Sequence, residues 1–245
     1  MPISEGEPLL EVAKLSSGYG KIGVLHAVDF TVRSGEVVAL LGPNGAGKAT
    51  LLRAVSGLLP WSGRVRFAGR DLAGTTPRDT VKAGLVHVIE GHRVFTQLSV
   101  LDNLLLAAYD LPHGERSARV DEVFALFPEI APKRSERAAA LSGGQQQILA
   151  VAQGLVRRPR LLMLDEPSAG LSPVLVDRVL VVVQRLRETG TAVLLVEQLI
   201  EKALAFADRV YALARGSIVL EARTGDADLP SRLEHAYLAT ASRGV

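Results

Sequence analysis

The chain has 245 residues, of which 48% are hydrophobic and 22% are charged. This balance is typical of a globular protein and excludes an intrinsically disordered chain. The sequence has no cysteine, which excludes disulfide bonds and thiolate metal sites, and its net charge of +2 with scattered basic residues argues against a nucleic-acid-binding protein.

Nothing in the sequence predicts a membrane span or a secretion signal. No apolar run approaches the roughly 18 residues that a transmembrane helix needs. Residues 1–10 include Glu5 and Glu7 and lack the basic and apolar segments of a signal peptide. We therefore expect a cytoplasmic chain.

The apolar residues of the first third predict the strands and helices of an α/β core. Alternation predicts half-buried strands over residues 10–15 and 28–32, whereas the continuous run Val37–Leu41 is typical of a parallel strand covered on both faces. A glycine-rich loop and a helix over residues 48–58 follow that run. Further short strands are predicted around Val65 and Phe67 and over residues 85–89.

The middle of the sequence is helical and interrupts this core. Three helices are predicted, over residues 100–109 with Ser99 as N-cap, over 115–127, and from the N-cap Ser142 to before Pro159. The β/α alternation then resumes, with strands over 161–164 and Ala192–Val196, helices over 173–189 and 199–207, and a hairpin of 210–213 and 217–221. We predict one domain over residues 1–245, in which the core (1–89 and 159–245) carries a helical insert (90–158).

A glycine-rich segment between the strand Val37–Leu41 and the next helix has the context that a phosphate-binding loop requires. It consists of Gly42, Pro43, Asn44, Gly45, Ala46, Gly47 and Lys48. Glycines let backbone N–H groups turn toward phosphates, the helix N-terminus adds a favourable field, and Lys48 reaches the outer phosphates. The alternative is an ordinary glycine-rich turn, which the strand, the spacing and the lysine together disfavour.

The residue after Lys48 departs from the phosphate-loop pattern. The pattern continues with Ser or Thr, whose hydroxyl binds Mg²⁺, but this chain has Ala49 followed by Thr50. One helical step rotates Thr50 by about 100°, which makes it a poor substitute. We expect Ala49 and Thr50 to lie at the nucleotide, with Mg²⁺ binding weakened and about 1–3 kcal/mol of transition-state stabilisation lost.

Two further motifs follow in order. Residues 141–145 read Leu-Ser-Gly-Gly-Gln, in which Ser142 is placed as an N-cap and Gly143 and Gly144 expose backbone N–H groups suited to a γ-phosphate. The apolar strand over 161–164 then ends in Asp165 and Glu166. Asp165 is suited to Mg²⁺ and Glu166 to a general base that activates water.

With these motifs the chain resembles the ATP-binding-cassette (ABC) superfamily from about residue 10 to 238. The resemblance implies an α/β fold with a RecA-like P-loop NTPase core, a mostly parallel sheet, an antiparallel β subdomain and a helical insert that carries the family signature, here 141–145 including Gln145. It also implies a dimer in which each nucleotide lies between one chain's phosphate loop and the other's signature. Tyr19 matches the aromatic residue that stacks on adenine, with a packed turn tyrosine as the alternative. Residues 168–172 match the loop that contacts the partner's site.

Two positions resemble one branch of the superfamily. Where most members have a glutamine that contacts the metal, this chain has Glu90, and where they have a switch histidine it has Gln198. Together with three glutamines at 145–147, these residues look like the second ATPase subunit of branched-chain amino acid uptake systems. Ile89 in place of a proline and His92 in place of an arginine depart from that pattern. The resemblance makes Glu90, Glu166 and Gln198 catalytic candidates and Asp165 and Glu90 metal ligands.

Three functional hypotheses follow, all with ATP and Mg²⁺ as cofactors. The first is an ATPase that drives uptake of leucine, isoleucine and valine from the cytoplasmic face of the membrane, with urea, amides or other amino acids as alternative solutes. Its partners would be a separate permease, a second ATPase subunit or a second copy, and a periplasmic or extracellular solute-binding protein. The second is a catalytically weakened partner, motivated by Ala49, that mainly completes another subunit's site. The third, a non-transport ABC ATPase, is disfavoured because the chain has one cassette, no cysteine and no heptad run. We expect no nucleic-acid partner.

Overall fold

The structure is a computed structural model that describes residues 7–241 except His92, Gln198 and Leu199, with only the backbone described at Lys202 and 238–241. The strands are β1 (Leu10–Tyr19), β2 (Ile22–Val32), β3 (Val37–Leu41), β4 (Trp61–Phe67), β5 (Arg70–Asp71), β6 (Leu85–Val88), β7 (Leu161–Asp165), β8 (Ala192–Val196), β9 (Arg209–Ala214) and β10 (Ser217–Arg223). The helices are α1 (Lys48–Val55), α2 (Pro77–Lys82), α3 (Val100–Ala107), α4 (His113–Leu126), α5 (Gly143–Leu155), α6 (Pro173–Glu188), α7 (Ile200–Phe206) and α8 (Leu229–Ala241).

The larger sheet has six strands in the order β10-β9-β3-β8-β7-β6. The strands from β9 to β6 pair in parallel, and β10 joins antiparallel to β9. Every residue of β3, β7 and β8 is buried, as expected for strands with both faces covered. This sheet confirms the predicted α/β class with a mostly parallel core.

The smaller sheet is antiparallel, with the order β2-β1-β4-β5. Its strands β1 and β2 are longer than predicted and form a hairpin in which Tyr19 pairs with Ile22. The alternation near Tyr19 is interrupted by register shifts at Ser17 and Gly18, which explains why the sequence pattern ended too early. The predicted antiparallel subdomain is therefore present and extends to the turn that carries Tyr19.

Helices α3, α4 and α5 lie between β6 and β7 in the chain, as predicted. Ser99 and Ser142 are N-caps, because their Oγ atoms accept hydrogen bonds from the backbone N–H groups of Asp102 (2.9 Å) and Gln145 (3.3 Å). The phosphate-loop helix α1 ends at Val55 rather than at 58, two residues before Gly57, whose φ is +77°. No helix within the described ranges has the length and apolar character needed to span a bilayer.

Two helices were not predicted. Helix α2 begins with a capping box, since Thr76 Oγ1 accepts from the N–H of Asp79 while the Asp79 carboxylate accepts from the N–H of Thr76. Helix α8 packs on β9 and β10 and buries Leu229 and Leu233 in the core. These two are the only buried side chains among the residues of α8 whose side chains are described, and tertiary contacts therefore determine the helix more than its local pattern does.

Candidate functional site

The phosphate loop follows β3 and is held by close backbone contacts. A Cβ atom on Gly42 would lie 2.3 Å from the carbonyl oxygen of Leu213, so only glycine fits there. Gly47 caps α1 at φ +107°, a left-handed conformation that glycine adopts without strain. The N–H of Gly216 donates to the Ala46 carbonyl (2.9 Å), and the His26 N–H donates to Gly216 (2.8 Å). The β9–β10 turn thus ties the loop to both sheets.

Lys48 begins α1 and is 5% exposed. Its Nζ donates hydrogen bonds to the carbonyls of Gly42 (2.8 Å) and Pro43 (3.2 Å) and lies 3.6 Å from Oε1 of Glu166. The phosphate loop therefore holds the Lys48 ammonium at the cleft, where it could contact an outer phosphate. The candidate base Glu166 lines the same cleft.

The two carboxylates at the end of β7 have distinct environments. Asp165 is 2% exposed, and its Oδ2 is buried with no hydrogen-bond partner in the part of the chain that the structure describes. Burial, followed by the charges of Glu90 and Glu166, raises the pKa of Asp165 to about 6. Glu166 has φ +47°, a strained conformation for a non-glycine residue that is concentrated at functional sites.

These carboxylates fit Mg²⁺. Asp165 and Glu90 both line the cleft, and the buried, unpaired Oδ2 atom of Asp165 provides an anionic oxygen that a cation would satisfy. No group of three His, Cys, Asp or Glu side chains that could hold a metal occurs among the described residues. Mg²⁺ is commonly bound by one or two carboxylates together with substrate phosphates, so this donor set suits an ion shared with a triphosphate.

A cleft of about 540 Å³ brings most predicted site residues together. It is lined by Tyr19, Val24, Asn44, Gly45, Gly47, Lys48, Ala49, Thr50, Glu90, Asp165 and Glu166. Gly42, Pro43 and Ala46 shape the loop but are not among its lining residues. Gln198 and His92 lie outside the described residues.

Ala49 and Thr50 both line the cleft, and the Thr50 hydroxyl is directed at Tyr19, which lines it too. Thr50 Oγ1 donates to the Tyr19 hydroxyl at 3.5 Å, and Arg53 Nη1 donates to the same atom at 3.0 Å. The hydrogen bond from Thr50, followed by those interactions with Arg53, lowers the pKa of the Tyr19 phenol. The hydroxyl of Tyr19 is held by these two hydrogen bonds, and the residue is 43% exposed. Its ring is therefore accessible to a nucleobase.

The 141–145 segment does not line this cleft. Ser142 and Gly143 are exposed at the start of α5, where the Ser142–Gln145 capping box orients the first turn. Within one chain the segment and the phosphate loop therefore belong to different surfaces. That 141–145 serves another chain's nucleotide stays a prediction.

Glu197 is a residue that the motif analysis missed. It follows β8, is buried, and accepts hydrogen bonds from the N–H (3.1 Å) and Oγ (2.6 Å) of Ser168. Glu197 thereby fixes the 168–172 loop behind Glu166. The signal was present, because an acidic residue directly after a buried parallel strand lies at the same sheet edge as Asp165 and Glu166.

The chain matches the ABC transporter family over residues 25–169. That match covers more than half of the chain. The chain belongs to the ABC transporter family. Members of this family hydrolyse ATP, and the cleft at the carboxyl ends of β3 and β7 is the candidate site for it.

Several relatives are named for branched-chain amino acid transport. The chain is 40% identical to the high-affinity branched-chain amino acid transport ATP-binding protein BraG of Pseudomonas aeruginosa, over 94% of this chain and 99% of that protein. It is 37% identical to the probable branched-chain amino acid transport ATP-binding protein LivF of Archaeoglobus fulgidus, over 86% and 90%.

Solved ABC structures have the same fold. An ATP-binding subunit of an ABC transporter superposes with a TM-score of 0.83 at 28% identity, covering 95% of this chain and 99% of that one. A nucleotide-free ATP-binding cassette also superposes with a TM-score of 0.83, at 24% identity over 93% and 96%. The RecA-like P-loop fold of the ABC ATPases is thus confirmed for this chain.

Proposed function

We propose that this chain is the ATP-hydrolysing subunit of an importer that takes up leucine, isoleucine and valine, bound peripherally at the cytoplasmic face of the membrane. The observation that carries the proposal is the cleft in which Lys48, Asp165 and Glu166 meet. The substrate class is supported by the names of BraG and LivF and by Glu90 and the glutamines at 145–147.

The cleft residues have complementary roles in this proposal. The phosphate loop and Lys48 bind the phosphates, and the exposed face of Tyr19 stacks on adenine. Glu166 accepts a proton from the attacking water, within reach of the lysine that holds the outer phosphate. Asp165 and Glu90 would hold Mg²⁺, which when bound neutralises charge on the phosphate oxygens. Gln198 would be the switch residue.

The proposed partners of the chain follow from the signature segment 141–145, which is not among the residues that line the cleft. We assign Ser142, Gly143, Gly144 and Gln145 to the nucleotide of a second ATPase, either another subunit or a second copy. The helical insert (90–158) contacts a separate permease, and a periplasmic solute-binding protein delivers the amino acid. No nucleic acid takes part.

A second candidate function is favoured by Ala49. Ala49 faces the cleft without a hydroxyl, and that of Thr50 is directed at Tyr19. A chain whose own cleft hydrolyses slowly would mainly complete its partner's site through Ser142 and the 168–172 loop. The two candidates share the same partners and differ only in which cleft turns over.

Co-purification and transport test the proposal together. The tagged chain is isolated from detergent-solubilised membranes, and the proteins retained with it are identified. The complex is then placed in proteoliposomes with ATP inside and solute-binding protein outside, with liposomes that hold no ATP as the matched control. We expect a permease and a second ATPase, with leucine uptake that requires ATP. ATP-dependent uptake of a different solute would replace the substrate class, and retention of no permease would overturn the transport function.

Single substitutions separate the two candidates in the same liposomes. If the chain's own cleft turns over, Glu166→Gln lowers ATP hydrolysis substantially. If Glu166→Gln leaves hydrolysis unchanged while Ser142→Arg abolishes it, the chain serves its partner's site instead.

A further inference from the structure

The signature segment is joined to a neighbouring loop by a side-chain amide. Oε1 of Gln145 accepts from the N–H of Ser142 at 3.2 Å, which closes the capping box. Nε2 of the same amide donates to the carbonyl oxygen of Glu129 at 3.3 Å. One side chain therefore fixes the first turn of α5 to residue 129, sixteen positions earlier in the chain.

Glu129 in turn is paired with α6. Its Oε1 accepts from Nε of Arg178 at 2.5 Å, and the two side chains are 23% and 30% exposed. The other oxygen, Oε2, is buried and has no hydrogen-bond partner among the residues described. Because this carboxylate depends on Arg178, removing the arginine would leave a half-buried negative charge unpaired.

Apolar packing also joins α5 to α6. A Cβ atom on Gly144 would lie 2.4 Å from Cδ1 of Leu175 and 3.3 Å from Cδ2 of Leu171. The second glycine of the signature is therefore also the contact point at which α5 approaches the first turn of α6. The ion pair and this contact hold the signature against one short stretch, residues 171–178.

That stretch continues from the chain's own catalytic residues. Helix α6 begins at Pro173, directly after the 168–172 loop, which Glu197 anchors behind Glu166. These contacts form a continuous path from the 168–172 loop along α6 to Arg178, then through Glu129 and Gln145 to Ser142.

We propose that Arg178 and Glu129 are positioning residues that couple the chain's own ATP cleft to the signature that it presents to its partner. The inference rests on the proposed function, because it assumes that the signature serves a second ATPase. Neither residue lines the cleft, so neither is required to bind nucleotide. Their pairing makes the placement of Ser142 depend on the position of the 168–172 loop.

The test uses Arg178→Gln, Glu129→Gln and the charge swap Arg178→Glu with Glu129→Arg. The matched controls are Arg66→Gln and Glu11→Gln, which remove an ion pair of 3.5 Å between β4 and β1, far from the signature in the fold. Hydrogen exchange of the backbone amides of 142–148 is measured on the isolated chain, with and without ATP. ATP hydrolysis is measured on the complex with permease and second ATPase.

In the isolated chain, Arg178→Gln should speed exchange at 142–148 several-fold and remove any response of these amides to ATP. ATP affinity should stay within twofold of the unmodified chain. In the complex, each single variant should lower kcat by roughly tenfold with little change in KM, and the charge swap should recover most of it. The Arg66 and Glu11 variants should behave like the unmodified chain.

Unchanged exchange at 142–148 in Arg178→Gln overturns the link, whatever solute the complex carries. Lowered kcat that the charge swap does not recover also overturns the pairing, provided the swapped chain keeps its melting temperature. If that chain instead unfolds, unchanged exchange in Glu129→Gln decides against the link. If the exchange results hold but the complex moves no branched-chain amino acid, the proposed function fails and the link stands.

Discussion

The ammonium of Lys48 lies 3.6 Å from the carboxylate of Glu166, although Lys48 begins α1, Glu166 follows β7, and the whole helical insert (90–158) lies between them in the sequence. In the proposed function, Lys48 binds an outer phosphate and Glu166 accepts a proton from the water that attacks it. The cleft therefore places the Lys48 ammonium and the Glu166 carboxylate side by side before a nucleotide binds.

Replacing the base should separate binding from hydrolysis. In Glu166→Gln we expect phosphate release to fall by about 10²–10⁴-fold, because the proton acceptor is lost. ATP affinity should be equal or higher, since Lys48 no longer has a carboxylate partner competing with the phosphate. Phosphate release and titration calorimetry measure the two effects.

The control for this substitution is Glu188→Gln at the exposed end of α6, which should leave both quantities unchanged. Lys48→Ala should instead abolish ATP binding. Turnover that survives Glu166→Gln would mean that the hydrolysis comes from the partner's cleft.

Restoring a hydroxyl at position 49 should raise activity. Ala49→Thr places an oxygen in the cleft that Thr50 does not supply, and turnover should rise by about tenfold if that oxygen contributes about 1.4 kcal/mol at the transition state. The half-saturating Mg²⁺ concentration should fall in parallel, as seen by phosphate release across a magnesium titration.

Ala49→Val is the matched control, because valine has the shape of threonine without the hydroxyl. It should give no gain. Equal gains from Thr and Val would show that volume rather than an oxygen ligand had been limiting. No gain from either would mean that the absent hydroxyl is neutral in this chain.

The motifs could be located from sequence because each is local. The phosphate loop needs a strand, a few glycines and the start of a helix, all within residues 37–55, and the structure places them as expected. The caps at Ser99 and Ser142 likewise depend on residues within one turn. Helix α2 could have been predicted too, since Thr76, Pro77 and Asp79 spell a capping box.

Contacts between distant segments could not be predicted in this way. The pairing of Ser168 with Glu197 and of Glu129 with Arg178 spans 29 and 49 residues. Periodicity gives the face of an element but not the partner of a polar side chain. Only the fold determines which sheet edge or helix turn such a residue meets. For the same reason the position of Thr50, next to Tyr19, was visible only in three dimensions.

The loop behind Glu166 should depend on one hydroxyl. Ser168→Ala removes the 2.6 Å hydrogen bond to the buried Glu197 carboxylate, and a hydrogen bond to a charged group contributes about 1.5–3 kcal/mol. We expect the free energy of unfolding in urea to fall by that amount and turnover to fall with it.

Ser172→Ala is a matched control in the same loop, because Ser172 makes no side-chain hydrogen bond as the N-cap of α6. It should change stability by less than about 0.5 kcal/mol. A loss at Ser172 equal to that at Ser168 would show that the anchor is not specific to Glu197.

A buried histidine should make the chain less stable in acid. His87 Nδ1 lies 3.1 Å from Ser56 Oγ, and burial, followed by the charge of Arg53, lowers the pKa of His87 to about 4. The unfolded chain binds a proton on this residue near pH 6.5, and the folded chain only near 4. Stability contributed by neutral His87 is therefore lost as the pH falls from about 6.5 to about 4, by about 3 kcal/mol.

Urea denaturation at a series of pH values checks this dependence. His87→Gln should flatten the slope between pH 6.5 and 4, whereas His113→Gln, at an exposed position at the start of α4, should retain it. An unchanged slope in His87→Gln would assign the acid sensitivity to other groups.

The strand that carries the phosphate loop has both of its neighbours in the last quarter of the chain. Strand β3 pairs with β8 and β9, which end at Val196 and Ala214. During synthesis, the ribosome makes the phosphate loop long before it makes the strands that flank β3 in the folded sheet. A nascent chain released from the ribosome before β8 would have β3 unpaired on both sides and no support from Gly216 for Ala46. ATP can therefore act as a folding ligand only for a nearly finished polypeptide, and stalled or truncated products should present a bare apolar strand to chaperones and proteases.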